Sequence, residues 1–166
     1  MDAPLTGKQI INYMNGNINV ILYSDLKNYN SIHHLLNKYG QIIILYFWKS
    51  KPSYYGHYIT VFYNKNGNIE VFNSLGENFI DETLKNIDKK FKEQHNEDFK
   101  WLTYLLYNQP LKVEYNEKKL QSNTSATCGR FCLYRLKRKD LNIEEFQNLF
   151  NNIKTNDKKI ISLINI

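Results

Sequence analysis

At 166 residues the chain is long enough to bury one sizeable core and too short for two ordinary domains. Hydrophobic residues at 42% and aromatics at 14% exclude a disordered chain, while the net charge of +6 fits either a solvating surface or a polyanion contact such as DNA. Its two cysteines, Cys128 and Cys132, lie one helical turn apart, which argues against a disulfide framework, and no Cys/His set has zinc-ligand spacing.

In chain order, Thr6 precedes Ile10, Ile11 and Met14, predicting a short helix that stops at Asn15-Gly16. Residues 18–23 alternate and are β-rich, predicting a strand, and Ser24-Asp25-Leu26 reads as a loop. Asn30-Ser31 caps a helix closed by Gly40; its His33 and His34 are adjacent, cannot share a face, and are not expected to be ligands. Residues 41–48 form a near-continuous apolar run, the pattern of a central strand buried on both faces. A loop over 49–56 then leads to strands 57–63 and 68–72 around Asn64-Lys65-Asn66-Gly67, a hairpin signal.

Residues 81–99 read as a charged amphipathic helix with Leu84, Ile87 and Phe91 on its apolar side and His95 exposed. Residues 101–107 and 111–115 are expected to be strands separated by Pro110. Two helices close the chain, one over 143–153 capped by Asn142 with Glu145 three residues on, the other over about 158–163. The expectation is one α+β domain over 1–166, a mixed or antiparallel central sheet flanked by helices. Neither terminus carries a secretory signal or an apolar run long enough to span a bilayer, so no membrane role is expected.

Between the last strand and these helices lies Gln121-Ser122-Asn123-Thr124-Ser125-Ala126-Thr127-Cys128-Gly129-Arg130-Phe131-Cys132. Small polar residues give way at Cys128 to a helical apolar pattern, with Ser125 or Thr127 as candidate caps. A cysteine at a helix N-terminus has its thiolate favoured by the helix dipole, which suits a nucleophile. Seven residues earlier, the Gln121 amide can donate to a developing oxyanion.

Gln121, Ser125, Ala126, Cys128, Gly129, Phe131 and Cys132 resemble the nucleophile segment of the adenovirus maturation proteases, and more loosely that of the SUMO-protease group of cysteine peptidases. The resemblance covers about residues 40–138 and implies an adenain/SUMO-protease-like fold. His57 in Gly56-His57-Tyr58 matches the general base, and Asn73 in Val71-Phe72-Asn73-Ser74-Leu75-Gly76 stands where these families commonly have an acidic residue. The function implied is that of a viral cysteine endopeptidase, of a virophage or related DNA virus, that cleaves capsid or other virion precursors in the virion and at assembly sites in the host cytoplasm.

The same resemblance implies a groove narrow beside the cut, walled in part by Tyr58 and Gly129 and bordered by Tyr23 and Asp25. It implies no required cofactor. Stimulation by DNA would run through Lys137-Arg138-Lys139 and the helix face 85–92, whereas a peptide activator linked through a further cysteine is not expected. The alternatives are a protease removing ubiquitin-like modifiers, an inactive binding module on the same scaffold and, remotely, an acetyltransferase with a similar triad.

The hairpin supplies a geometric test. A two-residue loop, Asn66-Gly67, pairs Asn73 with Thr60 and puts Asn73 and His57 on opposite faces. A three-residue loop with Gly67 left-handed pairs Asn73 with Ile59 and makes His57 its same-face diagonal neighbour, roughly 7–8 Å away between backbones. The three-residue loop is the expectation. Glu70, the nearest acidic residue, then points away from the face of Asn73.

Overall fold

The computed structural model describes residues 3–49, 55–76 and 100–166. Its sheet is built on β2 (Gln41–Lys49) and β3 (Tyr55–Tyr63), antiparallel neighbours running Gln41↔Phe62 to Lys49↔Tyr55 with one irregularity between Phe47 and Lys49. Ile42, Ile43 and Ile44 are all fully buried, so β2 is covered on both faces, as its unbroken apolar run predicts. β1 (Asn19–Leu22) adds parallel to β2, β4 (Ile69–Phe72) adds antiparallel to β3, and β5 (Val113–Tyr115) adds parallel to β4. The result is a five-stranded mixed sheet ordered β1-β2-β3-β4-β5.

The β3–β4 hairpin has the register of the three-residue loop: Tyr63↔Ile69, Phe62↔Glu70, Val61↔Val71 and Thr60↔Phe72. Asn64 N–H donates to Asn68 O at 2.9 Å, Gly67 N–H to Asn64 O at 3.0 Å, and Gly67 sits at φ 75°. The ladder stops at Phe72, so Asn73 is the first residue to leave it.

Helices cover both faces. Against one lie α1 (Gly7–Tyr13), α4 (Cys128–Lys137) and α6 (Ile153–Leu163), in a core with Ile43, Tyr58, Phe62, Phe72, Phe131 and Phe150. Against the other lie α2 (Ile32–Leu36), α3 (Trp101–Tyr107) and a 3-10 turn over Tyr23–Asn28, with Ile42, Ile44, Ile59, Val61 and Val71. The short α5 (Ile143–Gln147) starts with the expected capping box, in which Asn142 Oδ1 accepts from Glu145 N–H and Glu145 Oε1 from Asn142 N–H. Thr6 and Gln9 make the same reciprocal pair at α1, which gives way to left-handed Asn15 and Gly16.

Four expectations are corrected. Residues 101–107 form a helix rather than a strand, because Leu102, Leu105 and Leu106 recur at three and four residues and bury one helical face while Tyr104 and Tyr107 stay exposed. Residues 24–26 are wound into the 3-10 turn, where Asp25 Oδ2 accepts from Leu22 N–H at 3.1 Å. β3 begins at Tyr55, taking in Gly56, where a side chain would run into Leu45 Cδ1 at 2.7 Å. The helix expected over 143–153 ends at Gln147, and α6 starts at Ile153 because Asn152 caps it, accepting from Lys154 N–H. The helix expected over 81–99, with Leu84, Ile87, Phe91, His95 and the lysine face 85–92, lies outside the described residues, as does the loop over 50–54.

α4 is bolted to the sheet far from its N-terminus. Arg135 Nε donates to Glu70 Oε2 at 2.7 Å and Nη2 to Glu70 Oε1 at 2.9 Å, with both side chains 1% exposed. The remaining guanidinium donors reach Arg138 O and Leu141 O, and Phe62 and Phe146 flank it. Glu70 thus lies on the face away from Asn73, committed to this ion pair.

Candidate active site

Alternate N–H groups of a strand point to alternate neighbours. Tyr63 N–H donates to Gly40 O, ahead of β2, and Asn64 N–H donates towards β4, so even-numbered β3 residues, Tyr58 included, point their N–H groups to the β4 side. At Tyr58, one rung beyond the final pair Thr60↔Phe72, β4 has already turned away. The sulfur of Cys128 takes that rung: Tyr58 N–H donates to Cys128 Sγ at 3.4 Å. Strand parity places the side chain of His57 with Ile59 and Val61, on the face opposite α4, yet the sulfur of α4 arrives beside its backbone through the gap left by β4.

His57 is 1% exposed, and its Nε2 lies 2.7 Å from Asn73 Oδ1. That amide atom also accepts from Leu75 N–H at 3.0 Å, which identifies it as the oxygen. His57 Nε2 must therefore carry the proton, and Nδ1 carries the basic lone pair. Asn73 is fixed by Asn116, whose Oδ1 accepts from Asn73 N–H at 2.8 Å and whose Nδ2 donates to Asn73 O at 2.6 Å. Burial lowers the His57 pKa to about 4, opposed by the hydrogen bond to Asn73, so the imidazole is neutral at pH 7.

Cys128 is the first residue of α4, as expected, but neither Ser125 nor Thr127 caps the helix. Both hydroxyls instead donate to Asp157 Oδ1, at 2.8 and 2.6 Å. Gln121, 4% exposed, accepts from Ser74 Oγ at 2.6 Å and donates through Nε2 to Ser125 O at 3.0 Å, while its own N–H and that of Leu120 donate to Ser74 O. Consecutive residues, Asn73 and Ser74, thus hold the histidine and the glutamine in one frame. Gly76 closes that turn at φ 65°, with no room for a side chain: a Cβ would stand 2.5 Å from Lys118 C and Lys119 N.

Cys132, fully buried, donates its S–H to Tyr58 O at 3.5 Å, and burial pushes its pKa well above the usual thiol value, with Cys128 adding to the shift. Tyr58 lies between helix and N-terminal segment: its hydroxyl donates to Leu5 O at 3.0 Å and is pushed up to about 12, by burial first and by the two cysteines second. Gly129 is needed for this approach, since a Cβ there would lie 3.2 Å from Tyr58 Cδ2.

Tyr23 does not border a groove. It is fully buried, stacks on Tyr46 with ring centroids 4.7 Å apart, and accepts from Leu102 N–H. Asp25, half-buried, holds the start of the 3-10 turn. Sequence reasoning missed Ser74, Asn116, Asn156 and Asp157, all short polar residues whose partners lie far along the chain. The one local signal was the position of Ser74 directly after Asn73. Among the described residues no group of three or more His, Cys, Asp or Glu side chains could hold a metal ion, and no helix is long and apolar enough to cross a membrane.

The arrangement gathers Cys128 at the start of α4, His57 held on Asn73, and the Gln121 amide on the carbonyl of Ser125. The fold is that of SUMO-protease-like cysteine proteases: the ASFV pS273R protease superposes with a TM-score of 0.50 at 12% identity, covering 100% of this chain and 70% of that one. ChlaDub1 of Chlamydia trachomatis superposes with a TM-score of 0.41 at 15% identity, covering 79% of this chain and 60% of that one. No family model matches the sequence. A protein of Sputnik virophage, the uncharacterized protein V9, is 32% identical over 168 residues, 98% of this chain and 94% of its own, and the chain belongs to the family of that virophage protein.

Proposed function

We propose that the protein is a cysteine endopeptidase that cleaves capsid or other virion precursors during maturation, with Cys128 as nucleophile, His57 as base, Asn73 as its orienting partner and Gln121 as oxyanion donor. The observation that carries the reading is the convergence at one strand end: His57 Nε2 on Asn73 Oδ1 at 2.7 Å, and Cys128 Sγ on the N–H of the very next residue at 3.4 Å. The fold it shares with a viral protease and its virophage relative support a viral substrate. Action at assembly sites in infected cells belongs to the same proposal.

Neutral His57 takes the Cys128 proton on Nδ1 as sulfur attacks the scissile carbonyl. The resulting oxyanion is held by Gln121 Nε2–H and Cys128 N–H. His57 then gives that proton to the leaving amine, and water, deprotonated by His57, hydrolyses the thioester. No step calls for a cofactor. Stimulation by DNA is a separate proposal, for which the 137–139 cluster offers less than its sequence promises. Arg138 is held by Asp140 through Nε and Nη2, and Lys139 lies over Phe62, its pKa lowered chiefly by burial, which leaves Lys137 exposed.

The test is incubation of the protein and its Cys128→Ala variant with the virophage capsid precursor, followed by terminal sequencing of fragments. Discrete cuts by the wild type alone are expected; intact capsid beside cleaved ubiquitin-like conjugates would transfer the proposal to modifier removal. Iodoacetamide should modify Cys128 well before Cys132, whose sulfur is buried and held as the thiol. Equal labelling of both in the folded protein counts against Cys128 as nucleophile.

A further inference from the structure

We propose that Asp157 is a positioning residue of this active site: from α6 it sets the loop that aims both oxyanion donors, the Gln121 amide and the Cys128 N–H. The inference rests on the protease reading and adds to it a residue that touches neither substrate nor nucleophile.

Asp157 Oδ1 accepts from Ser125 Oγ at 2.8 Å and Thr127 Oγ1 at 2.6 Å, and Oδ2 accepts from Ser122 N–H at 3.2 Å. One carboxylate therefore gathers three points of the segment that joins Gln121 to Cys128. Each point bears on an oxyanion donor. The carbonyl of Ser125 is the acceptor of Gln121 Nε2, and the carbonyl of Thr127 accepts from Phe131 N–H, which starts the helical turn containing the Cys128 N–H.

The preceding residue of the same helix completes the brace. Asn156, 2% exposed, donates through Nδ2 to Leu120 O at 3.1 Å. The peptides on both sides of Gln121, the carbonyl of Leu120 and the N–H of Ser122, are thus gripped by consecutive residues of α6. Hydrogen bonds to a carboxylate are shorter and stronger than neutral ones, which suits a group that must hold two hydroxyls and a peptide against thermal motion. Apart from Ala126 the loop has only small polar side chains with which to pack, so its geometry depends on these bonds. Misplacing an oxyanion donor by about 1 Å is enough to cost on the order of a hundredfold in rate.

The test is steady-state hydrolysis of a Gly-Gly aminomethylcoumarin peptide by wild type, Asp157→Ala, Gln121→Ala and the double variant. Asp157→Ala should lower kcat by roughly 10- to 100-fold with KM nearly unchanged, as for a loss felt only in the transition state. In the Gln121→Ala background the same change should cost less, because one of the two donors it positions is already gone. Asp157→Glu should recover part of the rate, and the labelling of Cys128 by iodoacetamide, which needs no oxyanion hole, should stay near that of the wild type. Equal fold-losses in both backgrounds, or a rise in KM alone, would overturn the positioning role. Wild-type turnover that vanishes in Cys128→Ala is the separate check on the protease reading. If the wild type turns over and Asp157→Ala matches it, the Asp157 inference alone fails; if the wild type is inert on both peptide and capsid protein, the protease reading fails and carries the inference with it.

Discussion

A histidine sealed from water and held to a neutral amide has a thermodynamic signature. The unfolded chain binds a proton at His57 near pH 6.5, whereas in the folded protein burial postpones protonation to about pH 4. The proton-binding difference favours the unfolded state between these values, so the contribution of neutral His57 is complete above pH 6.5 and is lost as pH falls towards 4. The loss amounts to about 2 kcal/mol by pH 5 and on the order of 3 kcal/mol in full. Urea unfolding at pH 7.5 and 5.0 should show wild type losing about that much more than His57→Gln; parallel losses would place the proton elsewhere. Asn73→Asp should raise the His57 pKa, since a carboxylate favours the imidazolium, and shrink the same loss. At this scale the sequence was legible where chemistry is local: Cys128 opens its helix and Gln121 lies seven residues before it. The contacts of Asn116 with Asn73, 43 residues apart, and of Asp157 with Thr127, 30 apart, depend on a topology that no local spacing encodes.

The hairpin is the element that makes the pair possible, because its loop length decides which face Asn73 occupies. Gly67 sits at φ 75°, and a Cβ added there would meet nothing within 4 Å, so substitution acts through backbone conformation alone. Gly67→Val should destabilise the protein by roughly 1–2 kcal/mol. Gly76→Ala should do more harm, since its Cβ would displace the 117–119 backbone that lies beside both Asn73 and Gln121. We expect kcat to fall more than tenfold in Gly76→Ala and to stay near wild type in Gly67→Val once both are folded. Comparable rates for the two would mean that the turn after β4 does not register the site. Asn-Gly chemistry marks the hairpin but fits a two-residue loop as well; strand parity selects the register, since only the three-residue loop brings His57 and Asn73 to one face. The segment 101–107 was not readable in advance, because seven residues dense in Leu and Tyr satisfy strand and helix patterns alike until burial of Leu102, Leu105 and Leu106 picks out one face.

Across the whole molecule, α4 is held at both ends by different chemistry. Its first turn is placed by Tyr58 N–H on Cys128 and by the loop bound to Asp157, and Arg130 donates to the carbonyls of Ala3, Ile164 and Ile166. Its far end rests on the Arg135–Glu70 pair, where two opposite charges and their hydrogen bonds are removed from water together. Breaking such a pair on one side strands the other charge, which costs about 3–5 kcal/mol, whereas replacing both partners by apolar residues of similar volume is commonly neutral or stabilising. Glu70→Leu alone and Arg135→Met alone should therefore each lower the urea midpoint strongly, and the double variant should recover most of the loss. Because the pair sits two turns from Cys128, the double variant should also keep kcat within a few-fold of wild type. A double variant as unstable as the singles would mean that the carbonyls of Arg138 and Leu141, which Arg135 also caps, need the guanidinium for themselves. Recovered stability with lost turnover would instead show that the ion pair sets the pitch of α4 over the sheet, and through it the position of the sulfur.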